Sequence, residues 1–122
     1  MDDAVRSALA HSQVIDLTTI GRRSGEQRRI ENFLHSLNGR LFISGTPFPG
    51  HTRAWIYNVA ADPHVTVHLK GSTVADVPAT ARVVTDPAER RPLIEAAAKT
   101  WGRTDLDVML EHSPLIDVTV ED

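Results

Sequence analysis

The sequence lacks cysteine altogether in its 122 residues. That absence excludes disulfide bonds, zinc–thiolate sites and thiol catalysis. It also lacks any apolar run approaching the roughly 18 residues of a membrane-spanning helix, so no transmembrane segment is expected. The N-terminal stretch MDDAVRSALAHS contains no apolar segment of signal-peptide length. The expected location is therefore cytoplasmic.

Aromatic residues are scarce, at 5% of the chain, and positive charge is not in excess, because the formal net charge is −3. Nucleic-acid binding depends on cations at the phosphates and gains from aromatic rings that stack on bases. The composition therefore does not indicate a nucleic-acid partner, and any anion site must be local. The length and a hydrophobic fraction of 41% suit one domain over residues 1–122 with a single core.

Local signals predict an α+β chain of mainly antiparallel strands. Asn38-Gly39 between two apolar runs favours a type I′ hairpin, and Asp86-Pro87 is typical of a helix start. The predicted elements are a helix over 3–11, strands over 13–20, 27–37 and 41–45, a helix from Thr52 to about Ala61, strands over 64–70 and 73–84, a helix after Asp86 that Gly102 closes, a helix near 104–111, and a strand LIDVTV after Pro114. About six strands with flanking helices are enough to close a small barrel, which would remove exposed edges.

Four arginines crowd the stretch TTIGRRSGEQRR, at positions 22, 23, 28 and 29. Two glycines bracket a turn here, the arginine turn (residues 21–28), and the backbone N–H groups of such a turn can converge on an anion. Arg22 and Arg23 would add forked donors for phosphate or carboxylate oxygens, and Ser24 would add a hydroxyl. Two interpretations stay open: an anion site, or a soluble hairpin turn. Repulsion among the four cations, offset inside the cluster by Glu26 alone, favours the anion site without identifying its ligand.

The other candidate residues are interpreted mainly as structural. The six histidines form no metal signature, since His64 and His68 lie four apart on a predicted strand. Trp55 and Trp101 have the helical spacing and apolar partners of core residues. Asp16 inside a strand is expected to make a structural hydrogen bond. No Ser/His/Asp constellation can be assigned from spacing, and neither dinucleotide-binding nor P-loop glycine motif occurs.

Two segments carry a resemblance to a known family. IDLTTIGRRSGEQRR resembles the T-T-x-G-[RK]-[RK]-[ST]-G-x-x-R signature of the deazaflavin-dependent nitroreductase and quinone reductase family. RAWIYNVAADPHVTVHLK resembles that family's W-[YLI]-x-N-[LV]-x-A-[ND]-P-x-V-x-V segment, and SPLIDVTV resembles its last strand. The resemblance spans residues 14–120.

The resemblance implies a split β-barrel of the flavin-binding kind and the use of the deazaflavin coenzyme F420 rather than FMN. In such proteins the phosphate and oligoglutamate tail of F420 lie in a positively charged groove, which would explain the arginine turn. The strand end at 44–46 would border the deazaflavin ring, and the helix that follows would flank it. The residues expected to bind the cofactor are therefore Arg22, Arg23, Ser24, Gly25, Arg28, Ser44, Gly45, Thr46, Arg53 and Trp55.

The chain departs from the family's pattern at several positions. Glu31 stands where many members have proline, TPFPGH stands where they often carry a glycine-rich loop, and Ile56 stands where many have tyrosine. The segment TWGRTDLDVML also lacks the tyrosines that some members place around their substrate. Cofactor binding is thus better supported than nitroreductase or quinone reductase activity, and an apolar acceptor is expected.

The expected function is hydride transfer from reduced F420 to a small electron-poor acceptor, with no catalytic side chain assigned. Split barrels of this type often pair, so a homodimer is one expectation. Two alternatives remain: a non-enzymatic cofactor or lipid carrier on the same barrel, and an anion- or nucleic-acid-binding module that uses the arginine turn. The carrier would bind F420 without turnover, whereas the module would bind in a steeply salt-dependent way and ignore F420.

Overall fold

The structure, a computed structural model, describes residues 1–121; Asp122, the end of the expected domain, lies outside them. These residues form four helices and six strands. In chain order the elements are α1 (Asp3–Leu9), β1 (Gln13–Ile20), β2 (Gln27–Leu37), β3 (Arg40–Ser44), α2 (Ala54–Ala61), β4 (His64–Lys70), β5 (Val74–Val83), α3 (Pro87–Trp101), α4 (Leu106–His112) and β6 (Leu115–Val120). None of the helices in residues 1–121 has the length and apolar character needed to cross a membrane.

The six strands close into one barrel in the order β1-β2-β3-β6-β5-β4, and every neighbouring pair is antiparallel. The β2–β3 hairpin turns at Asn38 and Gly39, whose φ angles are 51° and 84°. Positive φ at both positions is what a type I′ turn requires, and Asn and Gly accept it most readily. The predicted α+β fold, a split barrel of six antiparallel strands with flanking helices, is therefore confirmed.

The alternation of side chains along the strands divides the core into two clusters. Val65, Val67 and Leu69 of β4 point into the barrel, as their alternation in the sequence predicts, and pack there with Trp55 of α2. The second cluster lies on the outer side of the barrel wall, where α3 and α4 pack against β3 through Phe42. Helix α2 contacts β1 and β5, so it packs against this part of the barrel.

The bounds of several elements differ from the prediction by one or two residues at an end. Helix α2 begins at Ala54, and Arg53 rather than Thr52 occupies the cap, where it makes no side-chain capping bond. The backbone at Arg53 is extended, at φ −65° and ψ 141°, so the helical turn starts one residue later than the hydroxyl of Thr52 would favour. The other helix signals hold: Asp86 caps α3 by accepting a main-chain N–H at 3.1 Å, and Gly102 ends it at φ 65°.

Strand β2 is much longer than its partner β3, and this difference leaves part of one edge of β2 unpaired in the closed barrel. It pairs with β1 over 27–34 but with β3 only over 34–37. The second edge of β2 over 27–33 therefore has no strand partner among residues 1–121, and residues 27–31 are exposed. This open edge (residues 27–33) begins beside the arginine turn and ends near the point where the chain leaves β3.

Candidate functional site

Hydrogen bonds within the main chain fix the shape of the arginine turn. Gly21 N donates to the Glu26 carbonyl at 2.7 Å, and Gly25 N donates to the Gly21 carbonyl at 2.8 Å. Gly25 has a φ of 71°, in the left-handed region that glycine adopts without a steric penalty. A Cβ on Gly21 would lie 2.9 Å from Ser24 Oγ and 3.1 Å from the Glu26 carbonyl oxygen, so this close approach also requires glycine.

Asn58 of α2 anchors the arginine turn to the barrel. Its Oδ1 accepts a hydrogen bond from Arg22 N at 3.1 Å, and its Nδ2 donates to Thr19 Oγ1 at 3.0 Å. Asn58 is only 7% exposed, so these bonds satisfy a side chain that would otherwise be costly to bury. The two sequence segments that carry the family resemblance therefore meet at Asn58. This contact explains why an asparagine stands three residues after the tryptophan of α2.

The side chains of the four clustered arginines do not all point to one place. The Arg22 guanidinium lies 4.3 Å from the ring centroid of Tyr57, a cation–π contact. Arg28 Nη1 lies 3.2 Å from the Glu26 carboxylate, and Arg29 faces the outer wall, where its Nε donates to Asp16 at 3.0 Å. Arg22 and Arg23 form no ion pair with a carboxylate of the described residues.

Arg23 and Ser24 complete the account of the turn. Arg23 is exposed and makes no hydrogen bond or ion pair with the described residues. Ser24 Oγ accepts a hydrogen bond from Glu26 N at 3.1 Å, so this hydroxyl supports the turn itself. The turn thus presents local positive charge on an acidic chain, next to the open edge of β2.

A cavity of about 810 Å³ lies near the other end of that edge, between the segment that links β3 to α2 and the ends of α3 and α4. Its apolar wall includes Phe48, Ile56, Leu110 and Pro114. Phe48 is 51% exposed and stacks on His51, with ring centroids 4.5 Å apart. A cavity of this volume is large enough for a planar ring or a drug-sized molecule.

Three arginines line the same cavity, and two of them are already engaged. Arg90 donates to the carbonyl oxygens of Val84, Leu110 and Ser113 at 3.0, 3.1 and 2.8 Å. Arg91 pairs with Glu95 at 2.9 Å. These contacts make Arg90 a clamp between β5, α3 and α4, because one guanidinium satisfies three carbonyl groups at once.

Arg53 is the third cationic side chain of the cavity. It is partly buried, and burial lowers the pKa of its guanidinium below its usual value. Its Nη2 donates to Thr46 Oγ1 at 3.2 Å. A Cβ on Gly45 would lie 3.1 Å from Arg53 Cζ and 3.0 Å from Pro114 Cγ, so the absence of a side chain at Gly45 makes room for the guanidinium.

The structure divides nine of the ten residues expected to bind the cofactor into two groups. In the first group Arg53 lines the cavity, and Ser44, Gly45 and Thr46 adjoin that lining without being part of it. Ser44 Oγ donates to the carbonyl of the lining residue Pro114 at 2.8 Å, and Thr46 Oγ1 accepts from Arg53. Arg22, Arg23, Ser24, Gly25 and Arg28 form the arginine turn, and none of them lines the cavity. Consecutive residues of α2 connect the groups: Ile56 lines the cavity, while Tyr57 and Asn58 contact the turn.

Trp55, the tenth residue of the set, lies outside the arginine turn and is not among the residues that line the cavity. It is 6% exposed and packs in the barrel interior, as the helical spacing of the sequence predicts for a core residue. Its contribution to a site at this place is to fix α2 against the barrel, because a buried tryptophan loses a large apolar contact area if the helix shifts.

Two polar arrangements were not found by sequence reasoning. Thr18, His68 and Asp76 form a chain across three strands: Thr18 Oγ1 lies 2.6 Å from His68 Nε2, and His68 Nδ1 lies 2.7 Å from Asp76 Oδ1. The order of groups is that of a hydrolytic triad. However, Thr18 is only 8% exposed, so its hydroxyl is not accessible to a substrate, and the three hydrogen-bonded side chains stabilise the sheet.

Asp16, paired with Lys70 and Arg29, is structural as expected.

The second polar feature that sequence reasoning did not find is the buried side chain of His35. It is 2% exposed, stacks on Phe42 at 4.8 Å between ring centroids, and meets Trp101 edge-on at 5.0 Å. Its Nε2 has no hydrogen-bond partner. Burial lowers the pKa of His35 to about 4, which keeps the ring neutral at physiological pH. Among residues 1–121 no group of three or more His, Asp or Glu side chains could hold a metal ion, so the histidines remain unassigned to metal chemistry.

The family model described as F420H(2)-dependent quinone reductase matches residues 2–121. A solved structure described as an F420 reductase aligns with a TM-score of 0.71 at 16% identity, over 100% of this chain and 97% of its own. Another, described as an F420-H2 dependent reductase, has a TM-score of 0.60 at 22% identity, over 85% and 92%. A third is a domain-swapped dimer, with a TM-score of 0.65 at 22% identity, over 88% and 79%. No curated protein matches the chain.

The structural likeness establishes the fold, and the family match establishes the kinship, because it covers almost the whole chain and includes both the arginine turn and the Asn58 anchor. The chain belongs to the F420H2-dependent quinone reductase family.

Proposed function

We propose that the protein is an F420-dependent reductase that passes a hydride from reduced F420 to a small electron-poor acceptor. Family membership supports F420 as the cofactor, with FMN as the less favoured flavin. Two of the similar structures are named as F420 reductases. Two features together carry the proposal: a turn in which Arg22 and Arg23 have no carboxylate partner among the described residues, and a cavity. The open edge of β2 lies between them.

The arginine turn fits the anionic tail of the cofactor. Arg22 and Arg23 face no carboxylate among the described residues, so their donors remain available for phosphate or glutamate oxygens. The contact with Tyr57 holds Arg22 in place, which reduces the conformational entropy lost on binding. Arg28 would contribute less, because Glu26 already neutralises part of its charge.

The cavity fits the ring of the cofactor and its acceptor. Pro114 lines one wall, and the hydrogen bond from Ser44 Oγ to its carbonyl ties the strand end at 44–46 to that wall. Arg53 and Ile56 of the α2 region form another. When bound, reduced F420 supplies the hydride; the chain's own residues hold the ring, orient the acceptor and exclude water. No side-chain nucleophile is needed for this role.

The deciding measurement is a fluorescence titration of the protein with F420 and FMN side by side. F420 is expected to bind more tightly than FMN because only F420 carries the oligoglutamate tail. The double substitution Arg22→Ala with Arg23→Ala is expected to weaken F420 binding about tenfold or more, since charge-assisted hydrogen bonds are lost. Circular dichroism checks that the fold is retained.

The matched control is Arg29→Ala, because Arg29 lies in the same stretch of sequence but faces Asp16 on the outer wall. It should leave F420 affinity unchanged. Equal F420 affinity in the double variant and the wild type would reject the tail-binding role, and failure of the wild type to bind F420 at low ionic strength would reject the function. Binding without oxidation of reduced F420 by any quinone would favour the carrier alternative.

The oligomeric state and location stay predictions. A homodimer is proposed because split barrels of this type often pair and one similar structure is a domain-swapped dimer. Sedimentation velocity at micromolar concentration tests it. Cytoplasmic location and a single domain over 1–122 remain expectations from the sequence.

A further inference from the structure

Arg53 is a cation in the cavity that no carboxylate of the described residues neutralises. Among the described residues its side chain makes one hydrogen bond, to the neutral hydroxyl of Thr46 at 3.2 Å. A guanidinium has five N–H donors, so most of them remain unassigned. Because Arg53 is partly buried, those donors are also partly removed from water, and an unpaired charge in such a place is costly.

The other charged groups at the cavity do not compensate for Arg53. Arg90 is held by three carbonyl groups and Arg91 by Glu95, so both are already engaged. Glu111, the one carboxylate that lines the described cavity, lies 3.7 Å from Nε2 of His112. The positive charge of Arg53 is therefore available to a ligand.

The surroundings of Arg53 in the cavity are mainly apolar. Phe48, Ile56 and Leu110 line the same space. Ser113 also lines it, but its Oγ is shielded from solvent and does not offer a contact to a ligand there. Arg53 therefore adds a cationic contact to a largely apolar site.

Resting on the proposed function, we propose that the acceptor reduced in this cavity is an amphipathic acid, with a carboxylate that Arg53 binds and an electron-poor apolar body that contacts Phe48 and Ile56. The anionic groups of F420 are a second source of the same chemistry. These lie on the tail, for which the arginine turn provides a separate set of cations. This proposal moves Arg53 from the cofactor-binding residues expected from the sequence to the acceptor, and the acceptor expected to be apolar gains one acidic group.

The test is calorimetric binding of 2-naphthoate and its neutral isostere 2-naphthamide to the full chain, without cofactor. The wild type is expected to prefer 2-naphthoate by about tenfold or more, as one charge-assisted contact provides. Arg53→Gln is expected to abolish the preference while changing 2-naphthamide affinity little. Arg53→Lys keeps the charge without the fork and should retain part of the preference. Arg29→Gln, an arginine change outside the cavity, should retain all of it.

Equal affinity of the wild type for the two probes, or a preference that persists in Arg53→Gln, would overturn the inference. A titration of Arg53→Gln with F420 separates the two sources of anion. Its F420 affinity should stay within about threefold of the wild type; a loss as large as that of the Arg22 and Arg23 double variant would assign Arg53 to the cofactor and also overturn the inference. A wild type that prefers 2-naphthoate yet ignores F420 would reject the proposed function and leave the carboxylate site supported.

Discussion

The burial of His35 makes a quantitative prediction about stability and pH. The ring is 2% exposed among Phe42, Phe33 and Trp101, and its Nε2 has no partner, so protonation in the folded state would place an uncompensated charge in an aromatic cluster. For this reason the pKa of His35 falls from 6.5 to about 4 on folding. The folded protein therefore binds fewer protons at His35 than the unfolded chain does between these values.

The sign and size of the effect follow from linkage. Because the pKa of His35 is lower in the folded state, its contribution to the free energy of unfolding is fully present above the unfolded pKa of 6.5. That contribution is lost as the pH falls toward the folded pKa of about 4. Each pKa unit corresponds to about 1.4 kcal/mol, so the full loss is about 3 kcal/mol. Between about pH 8 and pH 5 the loss is about 2 kcal/mol, in a range where most carboxylates are still ionised.

Urea unfolding of the wild type and of His35→Phe at these two pH values measures the effect. The phenylalanine ring keeps the aromatic contacts and removes the titrating group and its unpaired nitrogen. The wild type should lose about 2 kcal/mol of unfolding free energy between the two conditions, and the variant should lose much less. If both proteins lose the same amount, the charge of His35 is not what limits acid stability, and the reasoning fails.

Three further predictions concern the turn and the surface network. Asn58→Ala should lower the free energy of unfolding by about 2 kcal/mol in urea titrations, because it leaves Thr19 and the Arg22 N–H without their partner. Gly25→Ala should cost about 1 kcal/mol in the same assay, because its φ of 71° disfavours a Cβ; no loss would mean the turn relaxes. Arg82 and Arg40 lower the pKa of Glu89 to about 2, so its stabilising contribution is present above its ordinary pKa and lost as the pH falls toward 2. Glu89→Gln should therefore flatten the acid limb of stability below about pH 4.5, and an unchanged limb would contradict this assignment.

Much of the fold could be predicted from the sequence because its signals are local. The alternation of β4, the Asn38-Gly39 turn and the Asp86 cap each involve neighbouring residues, and each was confirmed. The predicted cap of α2 was wrong by one residue: the hydroxyl of Thr52 favours that position, but the helix begins after Arg53, at a point set by the backbone of the preceding loop.

The candidate site was predictable only in part. The family resemblance grouped ten residues, but their division between the turn and the cavity depends on where α2 lies against the barrel. The cavity itself joins the segment after β3 to α3 and α4, which are distant in the sequence. The hydrogen-bonded chain through His68 depends on the register of β1, β4 and β5, and no local pattern encodes a register across three strands.

The open edge of β2 has a consequence for self-association of the protein at high concentration. Unpaired strand edges are templates for sheet extension between molecules, and natural proteins guard them with charge. Here Arg28, Arg29 and Glu31 occupy the exposed stretch of β2, so a second copy that approached edge to edge would have to remove water from these charged side chains. The charged residues on this flank of the barrel thus serve as gatekeepers against fibrous association.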